Sequence, residues 1–269
     1  MKVVLITNGN FFSTLALRQV LHQDKDITWH VFITSGLRRP KGNKAAEAWR
    51  LFRVWGPAYT AYKVLTYALP AVGSRVLRRP LDVAAVCQAR GIPVTYARNV
   101  NDESVALSIA ELAPDLLVSY SCPYRIRPHL LATARLGCIN VHSSLLPAYA
   151  GICTYVHVLA CGESETGVTV HEMVEEFDAG RILSQERVLV EPNTSVAALF
   201  ARQSHIAGRL LREVVEATLA RGEMVGTPQD LAKRSYFGEP SRADIRQIRQ
   251  HGHRLLRSAD LRVLLSGRL

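Results

Sequence analysis

The sequence predicts a Rossmann-like α/β fold: a mostly parallel sheet with flanking helices, a helical insertion and a short basic C-terminal extension. Three observations carry this prediction. Short, nearly continuous apolar runs recur, each the length of one strand buried on both faces. Between them lie segments with the three- and four-residue apolar spacing of helices. The two kinds alternate, as crossovers between parallel strands require.

Val3–Thr7 reads as a buried strand, and Asn8-Gly9-Asn10 turns the chain into a helix carrying Leu15, Leu17, Val20 and Leu21. Trp29–Thr34 and Ile92–Tyr96 read as the next strands. A helix over about 102–112 and the strands Asp115–Tyr120 and Gly137–His142 follow. Gly9 stands alone after the first strand, so the dinucleotide fingerprint is missing and a nicotinamide cofactor is not supported. Thr166–Val174 and Ile182–Val190 are β segments. A helix from Ser195 to Ala220 follows, with Asn193 or Thr194 as its expected N-cap and Gly222 as its stop.

Between 36 and 80 the alternation is interrupted. Residues 43–55 fit a basic amphipathic helix with Trp49, Leu51, Phe52 and Trp55. The apolar stretch 54–73 is broken by Gly56, Pro57, Lys63 and Pro70, short of the roughly 20 apolar residues of a membrane span. The expectation is a helical insertion packed on the domain or on a partner subunit, with contact at a membrane interface as the alternative.

At 269 residues, with 48% hydrophobic and 21% charged side chains, the chain has globular composition, which excludes a disordered or fibrous protein. Its net charge of +10 invites a nucleic-acid or anionic-membrane reading, so the location of the charge matters. Residues 37–53 carry +5, from Arg38, Arg39, Lys41, Lys44, Arg50 and Arg53 against Glu47. Residues 233–269 carry +6, and the remainder is close to neutral. Cys87, Cys122, Cys138, Cys153 and Cys161 form no CxxC pair, which points to reduced thiols, a cytoplasmic setting and no structural metal. The opening Met1-Lys2-Val3 runs into a strand without an apolar leader.

The chemistry-bearing segment is Gly137–Gly151. Alternate residues of a strand share a face, so Asn140 and His142 project together at its C-terminal end, where open α/β sheets bind ligands. Downstream, Asp178-Ala-Gly180 closes a turn between two strands, and its carboxylate can orient an imidazole or accept a proton. Taken residue by residue, a strand-end Asn and His and a turn Asp also suit purely structural roles.

Together these segments resemble the N10-formyltetrahydrofolate-dependent formyltransferases, the group that includes glycinamide ribonucleotide, methionyl-tRNA and amino-sugar formyltransferases. Asn140, His142, Ser144, Leu145, Leu146 and Pro147 match the family's Asn-x-His-x-Ser-Leu-Leu-Pro segment. Thr166–Thr169 matches its TGVT-type strand, and Asp178 with Gly180 its Asp-x-Gly. The resemblance implies Asn140, His142 and Asp178 as the catalytic trio. It implies 10-formyltetrahydrofolate as formyl donor, without a metal. Main-chain groups of Tyr124, Arg125 and Ile126 and of Met173, Val174, Glu175, Glu176 and Phe177 are expected to hold the pteridine. Gly9, Asn10, Ser144 and Gly151 are expected on the acceptor side. Ser121–Pro123 and Thr154 depart from the commoner glycine- and proline-bearing patterns.

The organisation so implied is a catalytic domain at 1–225, with its insertion at about 36–80, and a basic extension at 226–269. The expected acceptor is a small amine, on a nucleotide-linked amino sugar or an amino-acid-derived precursor. A methionyl-tRNA enzyme, a formyl-folate hydrolase and a non-catalytic folate- or RNA-binding relative are the alternatives. The basic tail is read as a solvated helix or oligomer contact, as in a homodimer, with nucleic-acid binding the minority view.

Overall fold

A computed structural model describes residues 1–22, 26–34 and 44–268, so Arg38, Arg39 and Lys41 of the first basic segment lie outside the described residues. The chain runs β1 (Lys2–Thr7), α1 (Phe11–Val20), β2 (Thr28–Thr34), α2 (Lys44–Leu77), α3 (Val83–Ala89) and β3 (Val94–Ala97). Then come α4 (Glu103–Glu111), β4 (Leu116–Tyr120), α5 (Pro128–Leu131), β5 (Cys138–His142), β6 (Ala150–Gly151) and α6 (Thr154–Ala160). β7 (Glu165–Glu172), β8 (Ile182–Leu189), α7 (Val196–Arg221), β9 (Tyr236–Phe237), α8 (Arg242–Gln250) and α9 (Ser258–Ser266) complete it.

Seven strands form one sheet in the order β3-β2-β1-β4-β5-β7-β8. β1 to β5 are parallel, and β7 and β8 run antiparallel as a return on the far side of β5. The expected mostly parallel α/β sheet is therefore the fold. Its central strands are buried on both faces, which explains their unbroken apolar runs: Val3, Leu5, Leu116, Val118, Ile139 and Val141 pack with α1 and α7 on one side. Val4, Ile6, Leu117 and Cys138 pack with Ile109, Ile126 and Leu130 on the other.

Helix α2 is broken at Gly56, whose φ of 76° lies in the left-handed region. Pro57 opens the second limb, where its missing N–H costs nothing. Tyr59 and Tyr62 from this limb join a cluster with Phe12, Tyr155, Phe200, Ile245, Ile248 and Leu264. The C-terminal helices are thus docked on α2 and α6, which corrects the reading of the tail as a solvated helix. Arg246, Arg249 and Arg262 of these helices are exposed, while Ile245, Ile248 and Leu264 are buried, a spacing whose buried side only the neighbouring helices reveal.

The start of α7 also differs from expectation. Ser195, not Asn193 or Thr194, is the N-cap, and its Oγ accepts the Ala198 N–H at 2.9 Å. The same hydroxyl donates to Asp260 Oδ2 at 2.6 Å, a carboxylate that also caps α9 through the Arg257 N–H. One buried serine therefore joins two helix starts. Ser195→Ala should lower stability by about 2 kcal/mol, the cost of a cap plus a hydrogen bond to a charged group, measured by urea denaturation.

Candidate active site

β5 ends at the C-terminal edge of the parallel strands with Asn140 and His142 on one face. Its antiparallel neighbour β7 sets His171 directly opposite Asn140 and Thr169 opposite His142. This register brings two imidazoles, a carboxamide and a carboxylate together. Asp178 is buried, with 8% of its surface exposed, and stands in left-handed backbone at φ 54°. Its Oδ1 lies 3.6 Å from His171 Nε2, and its Oδ2 lies 3.8 Å from His142 Nδ1. The structure thus brings all three members of the expected trio into one cluster.

Each ring has its polarity set by a main-chain carbonyl. The Glu172 carbonyl lies 2.8 Å from His171 Nδ1, so that nitrogen donates. Burial holds the His171 imidazole down at about 4, outweighing the opposing pull of Asp178, so the ring is neutral. Its Nε2 must then accept, and the Asn140 Nδ2 amide donates to it at 3.1 Å. That fixes the Asn140 carboxamide with one N–H on His171 and the other free. For His142, Nε2 donates to the Tyr149 carbonyl at 2.7 Å. Nδ1 is left facing Asp178 across a gap longer than a hydrogen bond.

The loop after β5 is fastened from below. Ser144 is fully buried, and its hydroxyl lies 3.0 Å from the Ala148 carbonyl and 3.1 Å from the Tyr149 carbonyl. Thr169 Oγ1 donates to the Ser144 carbonyl at 2.7 Å, and Gln185 Nε2 donates to the Leu146 carbonyl at 3.0 Å. Gly151 N–H donates to Asp178 Oδ2 at 2.8 Å. Gly151 has a φ of 109°, and a Cβ there would sit 2.0 Å from the Phe237 carbonyl, so no other residue fits. Of the residues expected on the acceptor side, Ser144 has its hydroxyl engaged inside the loop, and Gly151 has its amide on the Asp178 carboxylate.

The basic extension completes the same loop. β9 pairs with β6, the Phe237 ring stacks on Tyr149 at 4.7 Å, and Ser235 Oγ accepts the Tyr149 N–H at 2.8 Å. Gln229 Nε2 donates to the Asp178 and Gly180 carbonyls at 2.9 and 2.6 Å. Arg234 pairs with Glu176 at 2.6 Å and donates to the Phe177 carbonyl.

The two segments expected to hold the pteridine follow β4 and β7, the neighbours of β5 on either side. Arg125 spans them by donating to the Glu175 carbonyl. Tyr124 Oη donates to the Arg98 carbonyl at 2.7 Å, and the Ile126 side chain is buried in the core. Met173 N–H donates to the Cys138 carbonyl, while Val174, Glu175 and Glu176 are exposed. Gly9 and Asn10 lie at the end of β1, two strands from β5 along the same edge. The Asn10 side chain caps α1 by accepting the Ser13 N–H at 2.8 Å. Phe11 and Phe12, which follow it, point inward, with Phe12 against Phe200.

Sequence reasoning missed His171, Gln229, Arg234 and Phe237. Of these only His171 carried a local signal, its two-residue spacing from Thr169 on a strand.

The strand ends of this α/β sheet thus gather a carboxamide, two imidazoles and a buried carboxylate, a set of groups suited to proton transfer in an enzyme site. A model of the family described as Formyl transferase matches residues 60–215, and the protein belongs to that family of enzymes. Solved structures share the fold. Phosphoribosylglycinamide formyltransferase from Anaplasma phagocytophilum is 16% identical, with a TM-score of 0.58 over 89% of this chain and 98% of that one. A sugar N-formyltransferase from a Shewanella species is 16% identical, with a TM-score of 0.58 over 93% and 87%. An N-formyltransferase from Helicobacter canadensis, in complex with folinic acid and dTDP-3-aminofucose, is 14% identical, with a TM-score of 0.56 over 91% and 72%.

Proposed function

We propose that the protein transfers a formyl group from 10-formyltetrahydrofolate to a primary amine of a small biosynthetic substrate, on a nucleotide-linked amino sugar or an amino-acid-derived precursor. The observation that carries this reading is the cluster of half-buried Asn140 with buried His142, His171 and Asp178 at the strand ends of a formyl transferase fold. The folate fits the edge formed by 124–126 and 173–177, where main-chain groups flank the cluster and Arg125 joins the two segments. It supplies the formyl carbon; the chain supplies the rest. The free N–H of Asn140 donates to the formyl oxygen as it takes on negative charge. His142 Nδ1 accepts the proton that the attacking nitrogen releases and returns it to the departing nitrogen. Asp178, facing that Nδ1, stabilises the imidazolium in between. Gly9 and Asn10, on the same edge, stand on the acceptor side.

The amino-sugar branch of this reading draws support from the Helicobacter canadensis enzyme, which binds dTDP-3-aminofucose. Incubation with 10-formyltetrahydrofolate and a panel of nucleotide-linked amino sugars, amino acids and glycinamide ribonucleotide tests it. Tetrahydrofolate release should require the amine and match formylated product by mass spectrometry. Release that proceeds equally without any amine would replace transfer by hydrolysis.

A further inference from the structure

Helix α2 has two faces, and the fold accounts for one. In its second limb Tyr59, Tyr62, Thr66 and Pro70 are buried. Gly73 lies so close to α9 that a Cβ would sit 2.2 Å from the Leu265 carbonyl. On the opposite face Ala61, Val64, Leu65, Ala68, Val72 and Val76 follow one another at helical spacing, all exposed. Val64 exposes 59% of its surface, Val72 52% and Val76 71%. A helix apolar on both faces is ordinarily covered on both, and this stripe runs about 22 Å along the axis.

The surroundings say what kind of cover fits. From residue 48 to residue 81 the sequence holds six basic side chains, Arg50, Arg53, Lys63, Arg75, Arg78 and Arg79, and no acidic one. Trp49 and Tyr67 on the same helix are exposed. Exposed valines and leucine, aromatic side chains and an excess of basic charge on and just after one helix match a bilayer interface, where apolar groups enter below anionic headgroups. A second copy of the chain is the poorer match. A two-fold contact sets this face on itself, and either helix direction brings basic side chains against basic side chains. A nucleic acid would answer the charge and leave the apolar stripe in water. No helix among the described residues is long and apolar enough to cross a membrane, so the contact is peripheral.

We propose that the outer face of α2 docks on the surface of an anionic phospholipid bilayer. The test is co-sedimentation of the full chain with phosphatidylcholine vesicles and with mixed phosphatidylcholine–phosphatidylglycerol vesicles. Binding to the mixed vesicles should exceed binding to the neutral ones by roughly tenfold or more and weaken with salt. The double variant Val64→Glu/Val72→Glu, at two exposed positions, should lose that binding while its circular dichroism and melting temperature stay unchanged. Absence of binding to the mixed vesicles, or binding that survives in the double variant, overturns the proposal. So does a dimer in sedimentation equilibrium that the double variant dissociates, since the face would then be a contact between copies.

Discussion

His142→Ala should lower the rate of formyl transfer by about 10²–10³-fold, equivalent to about 3–4 kcal/mol of transition-state stabilisation, while the fold survives. The fold should survive because the Tyr149 carbonyl, which loses the His142 Nε2 donor, still lies 3.1 Å from the Ser144 hydroxyl. The rate should fall because His142 Nδ1 faces Asp178 with no hydrogen bond of its own, whereas His171, the other imidazole beside that carboxylate, has Nδ1 on the Glu172 carbonyl and Nε2 on Asn140. Asp178→Asn separates charge from geometry. The asparagine oxygen can still accept the Gly151 N–H, so the loop stays in place, but an imidazolium at His142 loses its counter-charge. Single-turnover rates with saturating amine and formyl donor should drop for both variants, with thermal melting near wild type. Retention of near-native rates by both would remove the proposed roles.

Much of this site was legible in the sequence, and the boundary of legibility has a physical cause. Asn140 and His142 could be placed on one face because the two-residue repeat of a strand is local. Asp178 could be placed at a turn because Gly180 follows it closely. The sheet itself followed from apolar runs that only strands buried on both faces demand. His171 was hidden because its partner, Asn140, is 31 residues away and meets it only through the antiparallel register of β7 on β5. Gln229, Arg234 and Phe237 were hidden for the same reason: charge composition marks the extension as basic but carries no address for where it docks. Ser144 shows the converse. A match to a family motif marks it as important, and only its burial shows that its hydroxyl fastens the loop.

The pH dependence of stability should report His171 directly. An ordinary histidine titrates near 6.5, and burial holds this one at about 4 in the folded protein. Between those values the unfolded chain binds a proton that the folded chain refuses, so stability rises with pH across that window and is lost as pH falls. From pH 7 to pH 5 the loss from this residue alone should be about 2 kcal/mol, read from urea denaturation at the two pH values. Protonation is resisted because a charged ring has no water to solvate it, and because Nε2–H would then point at the Asn140 amide nitrogen that now donates to it. The nearby Asp178 opposes this and lacks the strength to reverse it. His171→Gln keeps a donor and an acceptor in the space but has nothing to titrate, so its stability should change less over the same interval by that amount. The same argument ties stability to chemistry. Protonated His171 would release the Asn140 amide and compete with His142 for Asp178, so formyl transfer should fall on the acid side before the protein unfolds. A variant whose pH dependence of stability equals that of wild type would mean that the ring titrates in the folded protein as it does in the unfolded chain, and burial would then not be holding it neutral.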